Sequence, residues 1–168
     1  MSLPTFRVNA WGWRLIIFAT VFITIYCIKL WQPDLQIGLH QKNFLAALEN
    51  RHWSRVKSEM AENYSDRFGY RRDTVISDLR EVLRPFFALT IRRQGAHLVI
   101  NANSATMTTN LTITGTGPGA TEWLTSEVNS LVDPWVFTWK KASFWPWDWR
   151  LVSVDNPGLN LPDRRNNF

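Results

Sequence analysis

The first strong signal along the chain is a run with no charge and almost no polarity, LIIFATVFITIYCI over residues 15–28. Extended to Trp11 and Trp31 it reaches the length that spans a hydrocarbon core of about 30 Å as a helix. Pro33 and Asp34 then predict its stop. Residues 32–40 read as a short link containing Pro33 and Gly38. From residue 41 to 50 (QKNFLAALEN), Phe44, Leu45 and Leu48 recur at helical spacing beside two alanines, which favour a helix. After Asn50-Arg51-His52 a second short helix carries Trp53, Val56 and Met60 on one face. An irregular passage, residues 63–70, holds Tyr64, Asp66, Phe68 and Gly69. Asp73 is then expected to cap a third helix, in which Val75, Ile76, Leu79, Val82, Leu83 and Phe86 follow the 3.6-residue period and Pro85 ends the pattern.

Beyond Phe86 the period changes to two. Phe87, Leu89 and Ile91 alternate with polar or small residues, Gln94-Gly95 reads as a turn, and Leu98 and Ile100 belong to a further strand. Asn101 to Ser104 predicts another turn. Met107, Thr109, Leu111 and Ile113 then alternate with Thr108, Asn110, Thr112 and Thr114, the pattern of an antiparallel strand covered on one face. The Gly115-Thr116-Gly117-Pro118-Gly119 stretch is a loop, and with no lysine after it does not form a phosphate cradle. Residues 121–131 fit a helix, residues 135–140 a strand, and WDWRLVSV over residues 147–154 a closing strand.

Placed on this pattern, the charge shifts the picture. The net charge of +5 suggests nucleic acid until it is divided by region. All 14 acidic residues lie at or after Asp34, whereas Arg7, Arg14 and Lys29 precede it, which leaves 16 basic against 14 acidic side chains in the remainder. That balance excludes a phosphate-tracking surface. Trp11, Trp13 and Trp31 bracket the apolar run as rings that prefer the headgroup level, with Arg14 and Lys29 near its ends. No small-x-small cleavage site follows, and Tyr26 ahead of Cys27 argues against a lipoprotein signal. The expectation is a single-pass helix over residues 11–31 of a cytoplasmic (inner) membrane. The basic N-terminal flank, residues 1–10, would stay inside and the following domain would lie outside the cytoplasm.

The division of the chain is therefore a cytoplasmic N-terminus (1–10), a transmembrane helix (11–31), a link (32–40), an α+β domain (41–160) and a frayed tail (161–168). Helices followed by an antiparallel meander imply helices covering one face of a strongly curved sheet. The residues FLAALENRHWSRVKSEMAENYSD and WDWRLVSVDNPGL resemble the opening helices and the last strand of nuclear-transport-factor-2-like domains, the cystatin-like cone. The resemblance covers roughly residues 39–159. It implies the cone fold, whose members include isomerases and dehydratases with an acid–base pair in the cone. Others are non-enzymatic and bind partners or dimerise through the sheet. The inner-membrane scaffold proteins of type IV secretion are a similar architecture, one transmembrane helix followed by a domain of this fold.

An enzyme of that kind needs a carboxylate or imidazole poised in the cone. The candidates are Asp66 and His97, with Tyr64 adding a hydroxyl. The simpler reading, and the favoured one, is that Asp66 caps or turns the loop before the third helix and that His97 faces solvent beside Gly95. His97 shares its strand face with Val99, leaving Leu98 and Ile100 as the inward pair. His40 and His52 have no metal-ligand spacing, the single Cys27 excludes an intrachain disulfide, and no cofactor motif is present. The Lys140-Lys141, Arg71-Arg72 and Arg92-Arg93 pairs read as solvated surface. Six of the 10 tryptophans lie between Trp123 and Trp149. Within Trp145-Pro146-Trp147-Asp148-Trp149, alternation places two in the core and leaves Trp145 at a turn, so Trp145 and Trp147 are the candidate partner contacts. The functional expectation is a membrane-anchored interaction module, an accessory or assembly subunit that meets other membrane proteins or a second copy of itself. The alternative is a ligand binder, isomerase or dehydratase using the cone.

Overall fold

The computed structural model describes residues 10–159, apart from the side chains of Ala10, Ile28 and Leu30. Residues 1–9, Arg7 among them, and residues 160–168 lie outside the described residues. Nine elements follow in order: α1 (Ala10–Leu30), α2 (Pro33–Glu49), α3 (Trp53–Glu59), α4 (Arg72–Leu83), β1 (Ala88–Asn101), β2 (Ser104–Thr116), α5 (Ala120–Ser130), β3 (Trp135–Lys141) and β4 (Trp149–Asp155). The four strands form one antiparallel sheet in the order β1-β2-β3-β4. This is the expected α+β class.

The apolar run forms α1, whose large apolar side chains are exposed on every face, Phe18 at 79% and Phe22 at 72% among them. Among the described residues no helix is long and apolar enough to cross a membrane. In α1 the unbroken stretch of described side chains is residues 11–27.

Residues 33–40 are helical and do not form the expected link. Pro33 sits in the first turn, where its fixed φ suits a helix start, and Asp34 complements the positive end of the helix dipole. The register explains the rest. Ile37, Gln41, Phe44 and Leu48 lie on one buried face, so packing carries the helix past Gly38. Asp73 does not cap α4. Arg71 occupies the cap position with no side-chain hydrogen bond, and the Asp73 carboxylate instead pairs with Lys57 Nζ on α3 at 2.8 Å.

The sheet departs from expectation at three places. Gln94-Gly95 is a bulge inside β1, not a turn: the register shifts between Gln94 and His97 while β1 stays paired with β2 on both sides. Gly95 takes φ +63°, and the buried Thr109 hydroxyl donates to the carbonyl oxygens of Gln94 and Gly95. Phe87, expected inward, is 83% exposed, while Phe86 before it is buried with Leu83, Leu89 and Ile113. Gly115 is needed there, because a Cβ would stand 2.5 Å from the Phe86 ring. Finally, β4 begins at Trp149, two residues later than predicted, because residues 142–148 form an irregular loop.

The main core joins α2, α3 and α4 to the inner face of β2, β3 and β4 through Phe44, Val56, Ile76, Phe137, Trp139 and Leu151. The chain after α3 runs along β4, with Ala61 and Ser65 donating to the Leu151 and Val152 carbonyls at 2.9 and 3.0 Å. On β2, Asn129 of α5 bonds both the amide and the carbonyl of Ile113, each at 2.8 Å.

Candidate functional site: an apolar cavity and an aromatic loop

Helices and sheet do not close on each other completely. A cavity of about 380 Å³ remains between α2, α4, α5 and the sheet, walled by Leu45, Leu79, Ile91, Leu111, Leu124 and Val128 among others. Its volume falls at the lower end of the range for small-molecule sites, about 300–1,000 Å³. No tryptophan plugs it; Trp135 forms part of the wall.

The polar groups on the wall are Tyr64, Asp66 and Tyr70 from the loop after α3, Asp78 from α4, and Asp155 and Asn156 at the end of β4. Most of them have structural partners. Asp66 Oδ1 accepts the amides of Phe68 and Tyr70 at 3.0 and 2.9 Å, which builds the turn carrying Gly69 at φ +82°. The buried Tyr64 hydroxyl accepts the Val154 amide at 3.2 Å. Its pKa is driven strongly upward, by burial first and then by the nearby Asp66 charge, so it stays a neutral phenol. Asp155 Oδ1 meets Arg67 Nε at 2.9 Å, an ion pair whose angle is off the line of a hydrogen bond. The Arg67 guanidinium also donates to the Asn156 carbonyl at 2.8 Å and lies 4.6 Å above the Phe68 ring. Asn156, fully buried, ties the end of β4 to the Asp133 carbonyl at 2.7 Å.

The structure does not bring Asp66 and His97 together. Asp66 lines the cavity, but His97 is exposed on β1 beside the bulge and is not among the lining residues. Leu98 and Ile100 pack against the core as expected, and Val99 is exposed. No group of three or more metal-ligating side chains occurs among the described residues.

A second feature lies at the far end of β3. Of the three tryptophans in the Trp145–Trp149 run only Trp149 enters the core, where its Nε1 donates to the carbonyl of the buried Pro146 at 2.9 Å. The expectation of two buried rings therefore fails for Trp147. The loop breaks the strand alternation, and Trp145 and Trp147 stack on each other at 4.9 Å while remaining 53% and 46% exposed. Phe144, which the sequence pattern did not single out, is 80% exposed and lies edge-on to Trp145 at 6.2 Å and to Trp31 at 6.3 Å. Trp31 follows α1 directly, and Trp11, Trp13, Arg14 and Lys29 are exposed along that helix.

His40 connects this loop to the helices. Its Nδ1 lies 2.6 Å from Glu59 Oε2, and its Nε2 lies 2.8 Å from the Trp147 carbonyl oxygen. Sequence reasoning missed this pair, because 19 residues separate His40 from Glu59 and 107 separate it from Trp147. No local signal pointed to it, because residues 32–40 read as a link and His40 joins α2 only in the folded structure.

No family model matches the chain, and no curated protein is significantly similar to it. Solved structures do resemble it. A nuclear-transport-factor-2-like protein from Cytophaga hutchinsonii aligns with TM-score 0.52 and 15% identity, covering 73% of this chain and 94% of that one. A member of the same family from Streptomyces avermitilis, proposed to be a dehydratase, aligns with TM-score 0.53 and 18% identity over 73% and 93%. Bd1075 of Bdellovibrio bacteriovorus gives TM-score 0.55 at 9% identity over 74% of this chain, which spans 40% of that protein's length. The fold is nuclear-transport-factor-2-like, as the sequence resemblance implied.

Proposed function

We propose that this chain binds a small apolar molecule in the cavity beneath its sheet, and that α1 tethers the domain to a membrane. The cavity itself carries the first part: it is open, apolar and bordered by a few fixed polar groups, the composition of a small-molecule site. Turnover of the kind proposed for the Streptomyces neighbour would need an acid–base pair inside. Asp66 spends Oδ1 on two backbone amides and His97 stands outside, so the geometry favours binding over catalysis. The interaction-module reading keeps one supporting observation, the exposed pair of Trp145 and Trp147. Nothing links that pair to a protein partner.

The tether is supported by the exposure of apolar side chains on every face of α1. Arg7 and Arg14 favour an inside N-terminus. A reporter fused after Phe168 and active only outside the cytoplasm should be active; a silent reporter overturns this orientation.

The binding test uses the full chain in lipid nanodiscs titrated with a neutral apolar fluorophore. Wild type and Leu124→Trp, which fills the cavity from α5, are compared at equal lipid so that partitioning cancels. Saturable binding lost in the variant is expected. Equal binding by the two proteins would refute the cavity as the site.

A further inference from the structure

Four exposed rings form a continuous ladder in the order Trp31, Phe144, Trp145, Trp147, with successive centroids 6.3, 6.2 and 4.9 Å apart. It begins at the residue that ends the apolar helix and runs into the β3–β4 loop, more than 100 residues later in the chain. We propose that this ladder is a second lipid contact: Phe144, Trp145 and Trp147 lie in the headgroup region beside Trp31 and hold the domain at a fixed tilt against the bilayer. The inference rests on the reading of α1 as a membrane tether.

Three observations select a lipid surface as the occupant. The first is continuity. If α1 spans the bilayer, Trp31 marks its outer edge, and a ring in edge contact with Trp31 is held at the same depth. The second is that the loop is built, not floppy. The Asp148 amide donates to the Trp145 carbonyl at 3.2 Å and Ala142 to the Asp148 carbonyl at 2.8 Å, Trp149 Nε1 holds Pro146, and His40 holds the Trp147 carbonyl. A loop with this much backbone order presents its apolar rings outward because the fold places them there. The third is charge. Lys140 and Lys141 at the end of β3 and Arg150 at the start of β4 adjoin the loop in the chain, and Asp148 within the loop is paired with Arg150 at 3.0 Å. Aromatic rings bordered by basic side chains suit an interface with anionic headgroups.

The test places one environment-sensitive label on a Cys27→Ser background of the full chain, in phosphatidylcholine–phosphatidylglycerol vesicles containing a headgroup-region nitroxide lipid. One protein carries Ser143→Cys, which keeps all four rings. The control carries Val132→Cys, an exposed site at the opposite end of β3, roughly 20 Å away at about 3.3 Å per residue. A label at 143 that is blue-shifted, quenched by the nitroxide lipid and shielded from iodide, with the label at 132 none of these, supports the proposal. Trp145→Ser with Trp147→Ser should abolish the quenching at 143. Retention after alkaline washing is measured in parallel. Release of the chain overturns the tether and this inference together, whereas retention with labels equally open to iodide overturns the inference alone. A label shielded from iodide but not quenched by lipid overturns it in favour of a protein contact.

Discussion

His40 stands between two oxygen acceptors, Glu59 Oε2 at 2.6 Å and the Trp147 carbonyl at 2.8 Å, so both ring nitrogens are required as donors. Only the imidazolium supplies both protons. Burial opposes that charge, but the hydrogen bonds to Glu59 and Trp147 and the Glu59 charge outweigh burial and the repulsion from Arg150. The pKa therefore rises above the ordinary 6.5. One side chain thus joins α2, α3 and the aromatic loop, and its protonation governs how tightly.

The first prediction is a pH dependence of stability. A folded pKa above the unfolded value means the native state binds the proton more tightly, so the stabilisation is fully present below pH 6.5 and is lost as pH rises through the folded value. Urea unfolding at closely spaced pH values should show wild type weakening across this window and His40→Gln remaining flat. A wild-type midpoint that rises with pH in the same window contradicts the assignment.

Gln41 provides the second. It is fully buried on α2, and neither amide atom has a hydrogen-bond partner among the described residues. An unsatisfied buried group costs about 1–3 kcal/mol, so Gln41→Met, similar in length and shape, should stabilise the domain by an amount in that range. Destabilisation on calorimetry would show that the amide is satisfied in solution.

The third compares neighbours on α4. Leu79 packs against the core and walls the cavity, so Leu79→Ala should cost about 2–3 kcal/mol, the low end for such truncations, because one side already borders empty space. The same change should weaken apolar probe binding. Arg80 points outward but its guanidinium lies 5.5 Å from the Trp53 ring, and Arg80→Ala should cost about 0.5–1 kcal/mol. Equal losses in chemical denaturation would mean the α4 register is wrong.

The fourth concerns the groups first picked out as acid–base candidates. Asp66→Asn keeps an oxygen that can accept the Phe68 and Tyr70 amides, and His97→Gln changes an exposed strand position. The double variant should fold and bind a neutral apolar probe with unchanged affinity. If affinity collapses while the melting temperature holds, both groups belong to the binding site after all.

The sequence by itself determined what local patterning can specify. The apolar run became α1, the 3.6-residue repeat of Ile76, Leu79 and Leu83 became α4, and the hydroxyl-faced alternation of residues 107–114 became the heart of β2. The residues around Asp66 read correctly as a loop. Tertiary structure alone decided three other things. It made residues 33–40 helical, because Ile37 and Gln41 gain a core to pack against. It turned Gln94-Gly95 into a bulge, because a 13-residue β2 is long enough to pair with β1 on both sides of it. It separated Trp149 from Trp145 and Trp147, burying one and exposing two, although all three look alike in sequence. The cavity, the His40–Glu59 clamp and the ring ladder from Trp31 to Trp147 were illegible for the same reason. Each is made by side chains far apart in the chain, and hydrophobic period reports only which face a residue takes, never which distant residue meets it.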